Sequence, residues 1–509
     1  MSSDDNDPPE VHPAKDARGE RELWPMRRAL TVAFTGAALL LVAAWFLVPL
    51  LVGSPPRKQT ELDTAAQLDL LKLIFALVAG IGALVALVTT YRRQRIDEVN
   101  AKLAQRVARD NAHDATERRV TDLYGQAVEQ LGHDKAAVRL GGLYSLERLA
   151  QDHPQHRQTV TDVVCAYLRM PYQPPPPAPT DPQPAEPTSD ADGNDRQELQ
   201  VRLAAQELLY RHLTTPPGHS PPLTYWDNIR INLTGAYLIN FDFTHCRTTN
   251  ATFTHAHFTG DAKFGGVQFN GDARFDRVRF RGDAGFDGAQ FNGDTWFEAA
   301  QFNGSTGFGG VRFGGDAWFE AAQFNGYAGF GDARFSGYAR FVKAQFDGNA
   351  RFGDARFKGN AGFEAAQFTV GAMFGGARFG RDARFGEAQF SRYAGFGGVR
   401  FGGYTGFVKA QFSGYTGFDG AQFNADTEFA GAQFGGYTGF DGAQFSGNVG
   451  FSEAQFNGSA RFGEARFRVE PDFTQAMASH PDDNHVWPDP WHAEPVSPEN
   501  TTARLIRHD

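Results

Sequence analysis

The chain has little of what usually staples or arms a protein. Its 509 residues include two cysteines and five methionines. Cys165 and Cys246 are too few for a disulfide framework or a zinc cluster and read as two reduced, packed thiols. Motifs of chemistry are missing too: there is no Gly-Lys-Ser/Thr phosphate loop, no His-Glu-x-x-His, no nucleophile elbow and no dinucleotide fingerprint. His255 and His257 read as surface histidines, and His480, His485 and His492 in an Asp-rich tail as capable of weak adventitious metal binding at most. Glu298 and Glu320 read as one hydrated edge, not an acid/base pair. The reading is therefore non-enzymatic, with no catalytic residue, metal site or cofactor. A formal net charge of −10 is mild for this length and disfavours nucleic acid as a bulk-charge partner.

What is present begins with two apolar runs. Ala29–Val52 and Leu73–Tyr91 carry no charge, and each is long enough to cross a hydrocarbon core of about 30 Å. Lys15, Arg18, Arg21, Arg27 and Arg28 precede them and Arg92, Arg93 and Arg95 follow, against Arg57 and Lys58 between. Basic flanks mark the cytoplasmic side. The expectation is a multi-pass inner-membrane protein with both termini cytoplasmic: a polar tail over 1–28, then a transmembrane hairpin over 29–91 with spans 29–52 and 73–91.

Residues 92–170 read as a small cytoplasmic helical module, with Ile96, Val99, Leu103 and Val107 at helical spacing. The proline-rich stretch 171–195 reads as a linker. Residues 196–223 read as a capping helix and loop, with Asp195 as N-cap and Glu198 as its partner.

Most of the remainder is a repeat. The chain holds 46 Phe and 57 Gly, and from Phe253 to Phe473 phenylalanine returns after five and six residues in alternation, as F-x-x-A-x-F and F-x-G-x-A-x-F. A helix of that composition would lose roughly 1 kcal/mol at each glycine, and strict alternation never lasts long enough for plain antiparallel strands. A coil with short flat sides remains, in which Phe and the small residue two before it point inward. The glycine of the six-residue step, as at Gly271, Gly293 and Gly326, is expected to turn a corner with positive φ. The stretch NLTGAYLINFDFTHC keeps strict five-residue spacing, with Leu233, Leu238 and Phe243 central and Ile231, Ala236 and Phe241 two before them.

With these motifs residues 224–473 resemble the pentapeptide-repeat family, which implies a right-handed quadrilateral β-helix; 474–509 would form a C-terminal tail or cap. The outward residue of the five-residue step tests the coil length. Gln301, Gln323, Gln345, Gln367, Gln389, Gln411, Gln433 and Gln455 form one series, and Gln290, Arg312, Arg334, Arg356, Arg378, Arg400 and Gln422 the other. The split follows a period of about 22 residues, so each series becomes a vertical column, with neighbours about 4.8 Å apart and the two columns on opposite faces. The glutamines are expected to bond one another as an amide ladder.

Three functions are compatible with this. The first is a membrane-anchored scaffold that presents a rigid cytoplasmic β-helix to an unidentified cytoplasmic macromolecule, a protein above all, with homo-oligomerisation left open. The second, implied by the resemblance, is a DNA mimic that binds topoisomerase, although the near-balanced charges of this repeat lack the acidic field. The third is a subunit of a channel or transporter. Candidate partner-binding residues are the Arg312, Arg334, Arg356, Arg378 and Arg400 column, and Trp296 and Trp318, stacked between Arg274 and Arg340.

Overall fold

The computed structural model describes residues 26–52, 63–174, 190–480, 484–496 and 501–508. Residues 1–25 of the polar tail, 53–62 between the apolar runs and 175–189 of the proline-rich stretch lie outside them. The chain divides into two compact units, Met1–Glu117 and Arg118–Asp509.

In the first unit, helix α1 spans Met26–Val52, and helix α2, Thr64–Leu131, begins. Among the described residues one helix is long and apolar enough to cross a membrane, within Gln67–Leu131; the apolar stretch Phe34–Leu47 of α1 is shorter. One span candidate therefore stands where two were expected. Leu73, Phe75, Val78 and Leu87 of α2 are all exposed. No boundary appears at Tyr91, because from there to Leu131 the chain holds no proline and only Gly125, which a helix tolerates at about 1 kcal/mol.

The second unit opens with the end of α2 and helices α3 (Ala136–Asp152), α4 (Arg157–Arg169) and α5 (Asp190–Leu213). Helix α5 starts ahead of Asp195, which lies inside it, since each residue added to a formed helix gains a hydrogen bond. Leu143, Leu146, Val160, Val164, Leu168, Val201 and Leu209 form the core of this module. Arg202 is buried with its charge shared: Nε donates to Glu198 Oε1 at 2.8 Å, and its terminal nitrogens donate to the Leu168 and Met170 carbonyls at the end of α4. Burying an unshared guanidinium there would cost several kcal/mol.

The rest is a right-handed β-solenoid of about 11 coils with four parallel sheets as its sides. Register bears out the coil length: Gln301 pairs with Gln323, and Arg312 with Arg334, 22 residues on. The first coil, in strict five-residue spacing, closes two residues sooner, pairing Ile231 with Ala251 where Ala251 pairs with Ala273. Phe and the small residue are buried at nearly every side. From Phe253 onward each ring lies over the ring one coil below at 4.6–5.1 Å, and rings from opposite sides meet edge to face, as Phe264 and Phe275 do at 5.5 Å and 89°.

The corners differ from expectation. Of the described six-residue glycines Gly260 has the expected positive φ, but Gly271, Gly293 and Gly326 do not; elsewhere positive φ falls in the five-residue step, at Gly310 and Gly376 but also at Ala299, Asp332 and Asp354. The six-residue glycines are needed for close approach instead. A Cβ on Gly293 would come within 2.6 Å of the Gly271 carbonyl carbon, and one on Gly326 within 2.5 Å of the Gly304 oxygen. Beside them Asp272, Asp294 and Asp316 each accept from the backbone N–H one coil on, of Asp294, Asp316 and Tyr338, at 2.8–3.1 Å.

Both ends are closed. Gln158 of α4 and Gln206 of α5 lay their amides along the first coil like a short strand: each accepts from one backbone N–H and donates to the carbonyl of the same residue, Arg230 and Ile239 respectively, at 2.9–3.0 Å. Trp226 is buried against His212, ring centroids 4.0 Å apart. At the far end Thr502–Arg507 turns antiparallel onto Met477–Ser479, and Trp487 packs on Phe456 and Phe473. The core runs unbroken from Val120 to Leu505.

Phe363 sits mid-rod between Phe341 and Phe385. Phe363→Ala should cost about 3–5 kcal/mol, measured by chemical denaturation, with proteolytic opening confined to the adjoining coils.

Candidate functional site

Because Phe and small residues face in, the residue between them must face out, and parallel in-register pairing stacks it on its equivalent in the next coil. Each side thus carries one column of side chains.

The glutamine column, Gln301 to Gln455, is neutral and continuous. Its amides do not bond one another among the described residues. The ladder forms one position past the Phe, where the shorter asparagine is held close: Asn325 Nδ2 donates to Asn303 Oδ1 at 2.9 Å. Next round the coil is a side with glycine at most outward positions, where Tyr327, Tyr393 and Tyr415 cover Gly329, Gly395 and Gly417; Tyr393, Tyr415 and Tyr437 stack at 5.5 and 5.1 Å.

The third side, opposite the glutamines, brings Arg312, Arg334, Arg356, Arg378 and Arg400 into direct register. All five are exposed. None forms an ion pair or side-chain hydrogen bond among the described residues, and Asp332 and Asp354 do not reach them. Arginines elsewhere on the rod do find carboxylates: Arg340–Glu320 at 3.4 Å, Arg384–Asp382 at 3.2 Å and Arg461–Asp441 at 3.2 Å. Arg312, Arg334, Ser336, Arg356 and Lys358 line a shallow groove of about 340 Å³ floored by Phe335.

The fourth side holds the tryptophans. Trp296 and Trp318 stack at 4.8 Å and 3°, half-buried, and Arg274 lies 4.5 Å over Trp296. The expected sandwich is half formed, because Arg340 turns to the Tyr338 ring at 4.7 Å and to the Glu320 carboxylate, a charged acceptor that an indole face cannot match. Further along, the Glu364 carboxylate covers Gly362; its buried Oε2 has no hydrogen-bond partner among the described residues, and burial raises its pKa above the usual carboxylate range.

The family description "Pentapeptide repeats (9 copies)" matches residues 233–279, 253–301, 275–323, 297–345, 341–389 and 440–480. The repeat domain belongs to the pentapeptide-repeat family. No curated protein and no solved structure matches the chain. In this pentapeptide-repeat solenoid one six-residue step follows the arginine face and one follows the glutamine face, so each coil is 22 residues and both columns stay in register.

Other candidates are not gathered into a site. His257 stacks on Tyr237 at 4.6 Å, and burial, then Arg279, lower its pKa. His485 stacks on Trp487 at 5.1 Å within the C-terminal cap. Among the described residues no three His, Cys, Asp or Glu side chains are grouped to hold a metal. Reading the sequence missed the Gln158 and Gln206 caps and the corner aspartates; only the aspartates left a signal, Asp272, Asp294 and Asp316 recurring one coil apart.

Two measurements follow from these columns. Arg334→Gln, Arg356→Gln and Arg378→Gln together should not lower the thermal midpoint, since Gln stands in the same column at Gln290 and Gln422 and each neighbouring Arg pair repels by about 1 kcal/mol in water. Glu364 binds its proton more readily folded than unfolded, so its contribution is most favourable in acid and is lost as pH rises through the raised pKa. Glu364→Gln should therefore gain on the parent as pH rises, with the midpoints closest below about pH 4.

Proposed function

We propose that this chain is a membrane-anchored, non-enzymatic scaffold whose β-solenoid presents its outward columns to another macromolecule. The observation that carries this reading is the arginine column: five charges in line on a stiff face, none paired with a carboxylate among the described residues. Rigidity supports it, because a preformed surface loses little entropy when it binds. The stacked Trp296 and Trp318, half-exposed on a neighbouring side, supply the aromatic anchor common at interface hot spots.

The anchor is the exposed apolar part of α2, paired with the run Ala29–Val52 as a two-span hairpin in the inner membrane, both termini cytoplasmic on the basic-flank rule. Reporter fusions after Arg95 and after Asp509 should both read cytoplasmic, and the full chain should resist carbonate extraction while a chain lacking residues 26–91 is released. A periplasmic signal at either junction overturns the topology, and extraction of the full chain overturns the anchor.

A further inference from the structure

The five arginines stand above Phe rings 4.7–5.0 Å apart, so charges of one sign are lined up at the coil repeat. Such a line is self-repelling unless something anionic sits against it. Asp332 and Asp354, two residues before Arg334 and Arg356, sit at left-handed corners and make no ion pair with them among the described residues, and the Asp354 carboxylate stands beside Gly376 of the next coil. Lys358 and Arg381 add charge along one margin, while Gly314, Ser336, Gly380 and Gly402 keep that margin low, so a flat surface can approach without obstruction.

We infer that this face docks on anionic phospholipid headgroups, with phosphates seated between neighbouring guanidinium groups and in the groove of Arg334, Ser336, Arg356 and Lys358. The inference rests on the membrane-anchored reading above. Guanidinium forks match phosphate oxygens in bidentate geometry, and basic residues at an anionic leaflet act additively. An anchored chain meets that leaflet at high effective concentration. Single-stranded nucleic acid fits the face less well, because among the described residues the rings nearest these arginines are buried, as Phe335 and Phe357 are, or half-buried and engaged, as Tyr338 is under Arg340 and Tyr404 with Glu428. That leaves no free ring to stack a base.

The test uses the full chain in nanodiscs of phosphatidylcholine, with or without about 30% phosphatidylglycerol. Ser336→Cys or Gln367→Cys carries a donor dye, and the acceptor sits on lipid headgroups. Native thiols do not compete: Cys165 and Cys246 are buried, and burial pushes Cys165 up to about 12. At low salt in anionic discs, energy transfer from Ser336 on the arginine face should exceed that from Gln367 on the opposite face by about two-fold. The difference should vanish in neutral discs, at about 0.5 M salt, and in the Arg334→Gln, Arg356→Gln, Arg378→Gln variant. Equal transfer from the two positions in anionic discs, or a difference that survives the triple variant, overturns the inference while leaving the anchor intact. Failure of the chain to enter the discs overturns the anchored reading and this inference together. Equal transfer combined with retention of short single-stranded DNA by the parent alone would assign the face to nucleic acid and overturn it as well.

Discussion

Everything in the repeat domain depends on one coincidence of lengths. Parallel strands sit about 4.8 Å apart, and flat aromatic rings can stack at nearly that spacing, as Phe313 and Phe335 do at 4.8 Å. A column of phenylalanines therefore satisfies the backbone ladder and the core packing with one displacement. A leucine column would fill the same space without a preferred plane. Rings impose one, and edge-to-face contacts across the middle, such as Phe352 to Phe363 at 5.4 Å and 89°, tie opposite sides together.

Such a core makes each coil a good template for the next, which is why the ends need different chemistry. An open solenoid end offers unpaired backbone groups to any passing strand. At the start the Gln158 and Gln206 amides imitate a strand without offering an edge of their own, and α4 and α5 bury the apolar end behind them. At the other end the chain reverses, and the antiparallel strands Thr502–Arg507 and Trp491–Pro495 extend one side only.

The coil length was legible because side chains in vertical register share one environment, so the Gln and Arg series carry the period of the structure. The buried set was legible for the same reason. Corner geometry was not: positive φ is adopted by Ala299, Lys343 and Glu387 as well as by glycine, so residue type does not mark the position. The Gln206 cap was hidden because it depends on a contact with Ile239, in another segment of the chain, with no spacing to betray it. The glutamine ladder failed on entropy, since a long flexible amide loses more freedom than asparagine when held against its neighbour. At the candidate site the column of arginines could be read, whereas the partners of Arg340 and Arg384 could not, because those depend on which corner carboxylate each guanidinium meets.

A consequence for function lies in how this fold divides its residues. Inward positions and close corners are nearly fixed, Phe by stacking and glycine by approach to the preceding coil, whereas the outward residue bears almost no load. Columns can then change composition along the rod, as when Arg400 gives way to Gln422, without disturbing the core beneath. A run of five arginines in a position where glutamine serves equally well is thus not demanded by the fold. The repulsion it carries, about 1 kcal/mol per neighbouring pair in water, is less than the roughly 3–5 kcal/mol that each buried ring below contributes, so the rod tolerates the charge, and the charge is free to answer to whatever the face meets.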